Sequence, residues 1–205
     1  MTSESVASEL LRPGLLERVS VLLATTAMGD DVASPFAVAV RQACGALGAT
    51  VQLCPTPAFD PSKDAETALD DALAPALSAG RIDVAVVDAA SVRADVGGFP
   101  ASLEAAWNVT RAVANNAFIP SARGGRIIYI APPQGADIHA QAARAALENL
   151  ARTLSVEWAR HAVTVVAIAP GTGTTASEVA ALCTYLASPA GAYFSGCRLE
   201  LGAVA

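Results

Sequence analysis

One stretch, residues 138–171, most constrains how this chain can fold. Apolar residues recur in it at spacings of three and four, which predicts a long helix with one apolar face and a turn at 160–161. Residues 163–169 (VTVVAIA) then form a continuous run rich in β-branched residues, which is typical of a strand covered on both faces. The Pro-Gly dipeptide that follows ends the strand. Such a helix and strand in succession predict a parallel sheet between layers of helices.

The same alternation of strand and helix patterns continues through the rest of the chain. It implies a parallel sheet with right-handed crossovers, and so an α/β protein. We predict one domain over residues 18–205, preceded by a short extension over residues 1–17. The predicted strands are 19–24, 50–53, 83–87, 126–130, 163–169 and 197–201, and the predicted helices are 33–47, 62–79, 101–119, 138–161 and 177–188, the last of them capped by Ser177.

Composition and charge argue against several classes of protein. Of the 205 residues 53% are hydrophobic and only 16% are charged, so the chain is expected to fold rather than remain disordered. A net charge of −6 without a basic run in the sequence argues against nucleic acid or an anionic membrane as partner. Neither an apolar run of transmembrane length nor a signal peptide is recognisable, so we expect a cytoplasmic location.

The four cysteines have no spacing that is typical of a metal site. They are Cys44, Cys54, Cys183 and Cys197, and no pair of them forms a C-x-x-C motif. We therefore expect no metal, and we interpret the cysteines as small buried hydrophobic residues in a reducing compartment.

Three groups of residues within 138–171 resemble the short-chain dehydrogenase/reductase family. Arg144–Leu147 is similar to the end of its Tyr-x-x-x-Lys-Ala-Ala-Leu helix, Leu154–Ala159 to its Leu-x-x-Glu-Trp/Leu-Ala segment, and Ala169–Gly171 to its Ala-Pro-Gly strand end. Residues 177–196 also resemble the C-terminal part of 3-oxoacyl-carrier-protein reductase-like members. The resemblance implies a Rossmann-like, doubly wound parallel sheet of about six to seven strands.

The positions that the resemblance assigns to catalysis carry other residues in this chain. The family's serine, tyrosine and lysine fall at Pro132, Ala140 and Arg144, and only its asparagine is retained, as Asn108. In the family the tyrosine exchanges a proton with the substrate, and the lysine lowers the tyrosine pKa and holds the ribose. Lys63 is the only lysine, and no Tyr-x-x-x-Lys exists anywhere in the chain. These four positions are therefore interpreted as vestigial, and we expect no catalytic residue among them.

The cofactor motif of the family is altered as well. Gly29 is the single glycine where the family has Thr-Gly-x-x-x-Gly-x-Gly, and the carboxylates of Asp30 and Asp31 would repel a pyrophosphate. Residues 54–55 (Cys-Pro) provide neither a carboxylate nor an arginine to select a ribose. The substrate lid after residues 170–171 and part of one sheet edge are interpreted as deleted. We expect neither NAD nor NADP in this chain, only in a partner subunit.

The retained helices are those that form subunit interfaces in the family. Small residues occur on more than one face of helices 101–119 and 138–161. A helix packs only one face against its own sheet. A second packed face is therefore predicted, within a symmetric or pseudo-symmetric oligomer. The predicted interface residues are Ala105, Trp107, Ala112, Ala142, Ala143, Ala146, Leu150 and Trp158, with the two tryptophans as its main contacts.

Three hypotheses about function remain open. The first is an inactive subunit that assembles with, and supports, an intact NAD(P)-dependent dehydrogenase acting on hydroxyacyl or ketoacyl substrates, or that assembles with itself. The second is an oxidoreductase with a rebuilt site that uses His139, Asp88 or Tyr129. The third is a flavodoxin-like module that binds another ligand at the carboxyl ends of the strands. Because most substitutions destabilise, retained packing faces beside altered catalytic positions favour the first hypothesis.

Overall fold

The structure of the protein is a computed structural model, which describes residues 7, 10–26, 34–56, 65–78, 80–91 and 99–202. Within these residues the strands are β1 (Ser20–Thr26), β2 (Thr50–Thr56), β3 (Val84–Asp88), β4 (Gly125–Ile130), β5 (Val163–Pro170) and β6 (Cys197–Leu201). The longer helices are α1 (Pro35–Ala46), α2 (Ala65–Ser78), α3 (Phe99–Val113), α4 (Ala140–Glu157) and α5 (Ala176–Ala187).

The described strands form one parallel sheet in the order β2-β1-β3-β4-β5-β6. Because helices connect the strands by crossovers, the carboxyl ends of all six lie at one edge of the sheet and the amino ends at the other. This architecture confirms the predicted α/β class and the doubly wound parallel sheet. The sheet has six strands in the described part of the chain, with β2 at one margin and β6 at the other.

Two apolar clusters bury the two faces of the sheet. One contains alternate strand residues together with residues of α2, α3 and α4, and we call this side the α2–α4 face. The other contains the intervening strand residues with Leu16, α1 and α5, and we call it the α1/α5 face. All five residues of β3 are buried, as expected for a strand with helices on both sides.

The alternation of side chains assigns neighbouring strand residues to opposite faces. Val87 on β3 pairs with Tyr129 on β4, and both belong to the cluster on the α2–α4 face. Asp88 pairs with Ile130, which lies in the cluster on the α1/α5 face. Because successive side chains in a strand point to opposite sides, Asp88 and Tyr129 are separated by the sheet itself.

The helix predicted over 101–119 ends earlier than expected, as an α-helix, at Val113. Residues 114–118 form a π-helical turn, which a short helical turn at 119–121 follows. Phe118 is fully buried, and its ring lies where a Cβ on Gly125 would have to be. The wider turn places this ring over the start of β4, and only glycine leaves room for it there.

The connection between β5 and α5 contains five residues, 171–175. Gly171 donates its backbone N–H to the carbonyl of Leu201 over 2.7 Å, so the connection is tied to the end of β6. The helix cap is Thr175, whose side chain accepts from the N–H of Glu178 while Glu178 accepts from the N–H of Thr175. The prediction of Ser177 as the cap was wrong, because this reciprocal capping box begins two residues earlier.

The predicted N-terminal extension contributes to the core where it is described. Leu16 is fully buried and donates its N–H to the carbonyl of Leu47, and Leu11 donates to Ala7 in a helical turn. The described helices include none that is long and apolar enough to cross a membrane. All four cysteines are free thiols; three are buried and Cys197 is partly buried.

Candidate functional site

The positions interpreted as vestigial catalytic positions lie at the carboxyl edge of the sheet. Pro132 follows β4 and is buried, and Ala140 opens α4 with no exposed surface. Arg144 lies one helical turn further on and is only 3% exposed. Asn108 is half-buried on α3, and it forms no hydrogen bond with Arg144. The structure therefore brings Pro132 and Arg144 into contact and leaves Asn108 outside their hydrogen bonds.

The guanidinium of Arg144 bonds to the ends of neighbouring strands. Its Nη1 donates to the carbonyl of Pro132 over 3.0 Å and to the carbonyl of Pro170 over 2.6 Å. Its Nη2 lies 3.6 Å from Oε1 of Glu200 on β6. One side chain thus links the carboxyl ends of β4, β5 and β6 from its position on α4.

The charge of Arg144 is compensated within the chain. Burial lowers the pKa of Arg144, and Glu200 opposes this effect by favouring the charged form. Arginine nevertheless stays protonated in proteins, so this residue cannot move a proton at neutral pH. Its planar array of donors suits it to bond several carbonyls at once, a structural role that a lysine ammonium fills less well.

A chain of ion pairs extends from Arg144 across the surface. Glu200 pairs with Arg198 over 2.8 Å, Arg198 with Glu148 over 2.7 Å, and Glu148 with Arg152 over 2.7 Å. Glu200 and Arg198 are two residues apart on the marginal strand β6, so they share one face of it. These partners were not predicted from the sequence, although the alternating charged residues in CRLEL at 197–201 were a signal for them.

The residues considered for a rebuilt active site do not lie together. His139 is exposed just before α4. Its backbone N–H donates to Asp137 over 2.7 Å, and its carbonyl accepts from Ala143 over 3.0 Å. Tyr129 is fully buried on the α2–α4 face, and Asp88 is fully buried on the other side of the sheet. Asp88 and Tyr129, on opposite faces of the sheet, cannot act on one substrate atom.

Tyr129 is held in a structural hydrogen bond. Thr110 donates to the carbonyl of Ala106 over 2.8 Å, so the hydroxyl of Tyr129 is left to donate to Thr110, also over 2.8 Å. Burial raises the pKa of Tyr129, so the phenol stays neutral at physiological pH. A neutral, bonded and fully buried phenol has no route to a substrate.

Asp88 is a buried carboxyl with an incompletely bonded head group. Its Oδ1 accepts from the N–H of Ser91 over 3.2 Å, and Oδ2 has no hydrogen-bond partner among the described residues. Burial raises the pKa of Asp88, with smaller opposing effects from Ser34 and Ser91. The neutral acid is therefore favoured at this end of β3.

The predicted interface residues divide into core and surface positions. Ala112 is 1% exposed and Ala143 is 5% exposed, so both pack inside this chain's own core and present almost no surface to a partner. The prediction included them because small residues at helical spacing look alike whether a chain or its partner covers them. The remaining predicted residues are Ala142, which is exposed, and Ala105, Trp107, Ala146, Leu150 and Trp158, which are half-buried.

Residues of the predicted cofactor motif lie outside the described part of the chain. This applies to Gly29, Asp30 and Asp31; Lys63, the single lysine of the sequence and no part of that motif, also lies outside the described residues. The described residues contain no group of three or more His, Cys, Asp or Glu side chains that could hold a metal ion. Burial raises the pKa of Cys54 to about 11 and that of Cys44 to about 12, so these thiols stay protonated.

The strand order and the helices on both faces define an open α/β sheet of the doubly wound class. The family described as "short chain dehydrogenase" matches residues 95–182. No curated protein matches the sequence. The family match covers less than half of the chain, which is thus similar to short-chain dehydrogenases over that segment.

Two of the similar solved structures are dehydrogenases from bacteria. A citronellol catabolism dehydrogenase from Pseudomonas aeruginosa is 25% identical with a TM-score of 0.73, and the alignment covers 94% of this chain and 96% of that one. A short chain dehydrogenase from Mycobacterium smegmatis is 21% identical with a TM-score of 0.68, covering 94% and 95%. Below 25% identity such likeness concerns the fold alone.

Proposed function

We propose that this protein is a non-catalytic subunit, built on a short-chain dehydrogenase fold, that acts in the cytoplasm. It assembles with an intact NAD(P)-dependent dehydrogenase of hydroxyacyl or ketoacyl type and supports that enzyme. The observation that carries the proposal is the pair of hydrogen bonds from Arg144 to the carbonyls of Pro132 and Pro170. They give a structural task to the position where the resemblance implies a catalytic lysine.

The environment of Ala140 supports the same conclusion. This position corresponds to the tyrosine of the family, and it carries a methyl side chain that is completely buried. Neither Ala140 nor Pro132 has a group that exchanges protons. With Arg144 permanently charged, the three neighbouring positions contain no general acid or base.

The residues at this edge do not fit a nicotinamide cofactor. Arg144 is directed at two backbone carbonyls and at Glu200, and with 3% exposure it has no free donor surface for a ribose. The altered motif at Gly29, Asp30 and Asp31 points in the same direction. No step of a hydride transfer is therefore assigned to this chain.

An apolar stripe on α4 supports assembly with another chain. Ala142, Ala146 and Leu150 lie on successive turns of this helix, and we call them the α4 stripe. Ala142 is exposed, while Ala146 and Leu150 are half-buried. Val156, further along the same helix, is 77% exposed. Small side chains let a second helix approach closely, as at an interface between homologous subunits.

Cofactor titration tests the first half of the proposal. Purified protein is titrated with NADH and with NADPH in a calorimeter, and an intact family member serves as the positive control. We expect no saturable binding to this chain. A dissociation constant in the low micromolar range would overturn the proposal and favour an oxidoreductase with a rebuilt site.

Assembly tests the second half. The chain is co-expressed with each intact homologue from its own genome, and complexes are measured by light scattering. We expect Ala142→Arg to abolish a complex that the wild type forms, because arginine introduces charge and volume into the stripe. Ala46→Arg, at an exposed position of α1 on the other face of the sheet, is the matched control. A wild-type chain that stays monomeric with every homologue contradicts the proposal.

A further inference from the structure

A second group of arginines gathers at the amino edge of the sheet, opposite Arg144. A cavity of about 380 Å³ lies there between the starts of β1, β3, β4 and β5. The charged side chains that line it are Arg81, Arg123, Arg126 and Asp83. They come from separate parts of the sequence and meet because the parallel register aligns the strand starts, with Val84 beside Arg126.

Among the described residues that line this cavity, the only carboxylate is already bonded. Oδ1 of Asp83 forms an ion pair with Nε of Arg81 over 2.7 Å. Its Oδ2 accepts a hydrogen bond from the backbone N–H of Ser20 over 2.9 Å. Among the described residues, neither Arg123 nor Arg126 has a carboxylate within 4.0 Å. Three arginines and one carboxylate among the described lining residues give the cavity a net charge of +2 (3 − 1).

Arg126 is the more buried of these two arginines. It is half-buried and donates one bond from Nη1, over 2.8 Å, to the carbonyl of Ala187. Burial lowers the pKa of Arg126, while Asp83 favours its charged form. A guanidinium has five N–H donors, so most of them remain for a ligand. A partly desolvated cation gains more from an anion than a fully hydrated one does.

Arg123 lies on the exposed rim of the same cavity. Its backbone N–H bonds to the hydroxyl of Ser121 over 3.4 Å, and its guanidinium has no hydrogen bond to the described residues. A second cavity of about 240 Å³ shares Arg81, Asp83 and Arg123 with the first and is also lined by Asn116. The two adjoining volumes are of the size that small-molecule ligands occupy.

We propose that this pocket is a binding site for a small oxyanion, a molecule bearing phosphate or carboxylate groups. Arg123 and Arg126 bind the anion, and Arg81 stands at its rim. The planar guanidinium fork matches both phosphate and carboxylate oxygens. The chain as a whole carries a net charge of −6, so the positive charge of this lining is opposite in sign to that of the chain. Because the site lies at the edge opposite Arg144, it is independent of the proposed subunit function.

Calorimetry with three anions tests the site. Full-length protein is titrated with inorganic phosphate, pyrophosphate and citrate at constant ionic strength, with chloride as the background anion. We expect saturable binding of one equivalent, weakened about tenfold in Arg123→Gln, which corresponds to the loss of one charge-assisted bond. Tighter binding of the phosphates than of citrate identifies a phosphate ester as ligand, and the reverse order identifies a carboxylate.

The control variant is Arg41→Gln, which removes the same charge from an exposed position on α1. We expect its affinity to stay within about twofold of wild type, since long-range attraction is screened by salt. Arg123 is exposed, so its substitution is not expected to affect folding, which thermal melting checks. The proposal is overturned if no anion binds at concentrations on the order of 10 mM. It is also overturned if Arg41→Gln and Arg123→Gln weaken binding equally.

Discussion

The two edges of one parallel sheet use arginine in opposite ways. At the carboxyl edge, Arg144 is buried and bonded to the carbonyls of Pro132 and Pro170. At the amino edge, Arg123 and Arg126 line an open cavity, and their guanidinium groups make few bonds within the chain. The residue type is the same at both edges. The N–H donors of Arg144 bond to groups of the protein, whereas most N–H donors of Arg123 and Arg126 can bond to a ligand.

This difference bears on where the sheet can bind a ligand. Ligand sites of open α/β sheets usually lie at the carboxyl edge, where the strand ends and helix N-termini converge. Here Arg144 lies at that edge, and its guanidinium is taken up by the carbonyls of Pro132 and Pro170 and by Glu200. The difference between the edges can be tested by measuring the free energy of unfolding of arginine variants. An arginine bonded within the protein contributes to this free energy, whereas an arginine that binds a ligand contributes little.

The largest expected effect is that of Arg144→Met. Methionine keeps much of the apolar volume but removes the donors. The carbonyl of Pro132 loses its bond in a buried place, and the carbonyl of Pro170 keeps only the N–H of Gln134, over 3.0 Å. We expect the free energy of unfolding to fall by about 3 kcal/mol. Urea denaturation measures this, and Arg152→Met, at a 65% exposed position of the same helix, is the control. A loss no larger than that of the control would show that Arg144 is not a structural residue.

Asp88→Asn should give a pH-dependent effect at the same edge. Folding raises the pKa of Asp88, so its contribution to stability is full below the unfolded pKa of about 3.9 and is lost as pH rises through the folded value. The stability of Asp88→Asn relative to wild type should therefore increase from pH 4 to pH 7. Urea denaturation across this range checks the trend, with Asp71→Asn, at an exposed position on α2, as the control. A flat difference would mean that Asp88 ionises as easily in the folded chain as in the unfolded one.

The fold was predictable because its signals are local. The run at 163–169 lies within β5, and the alternation of strand and helix patterns along the chain gave the parallel sheet. The capping box Thr175-x-x-Glu178 was also visible in the sequence, but the cap was predicted two residues too late, at Ser177. The π-helical turn at 114–118 was not predictable, because it depends on the contact of Phe118 with Gly125 across the loop.

The bonding of the arginines could not be predicted from the sequence. Resemblance to a family identified the position of Arg144, but its partners Pro132 and Pro170 are backbone carbonyls 12 and 26 residues away. Every residue has a backbone carbonyl, so the residue types in the sequence do not show which carbonyls accept such bonds. The pocket at the amino edge combines Arg81 with Arg123 and Arg126, which meet only once the register of β3 and β4 is known. Both sites depend on geometry between distant segments.

Arg126→Met should have an intermediate effect on stability. The side chain is half-buried and makes one bond to a backbone carbonyl, that of Ala187. Loss of one such bond is expected to lower the free energy of unfolding by about 1 kcal/mol, less than the loss at Arg144. Urea denaturation of the two methionine variants side by side measures the order. An equal or greater loss at Arg126 would contradict the distinction between the two edges.

The smallest expected effect is that of Arg123→Gln on the stability of the free protein. The guanidinium of Arg123 has no hydrogen bond to a described residue, and it lies in a cavity that Arg126 also lines, so its removal relieves like-charge repulsion. We expect a change within about 0.5 kcal/mol, with stabilisation as the favoured sign. Phosphate should then stabilise the two proteins to different extents. At a phosphate concentration three times the dissociation constant of wild type, it should stabilise wild type by about 0.8 kcal/mol and the variant by much less. Paired melts in phosphate and in chloride of equal ionic strength measure this difference. Equal stabilisation of both proteins would mean that phosphate acts on folding in general, and that Arg123 does not bind it.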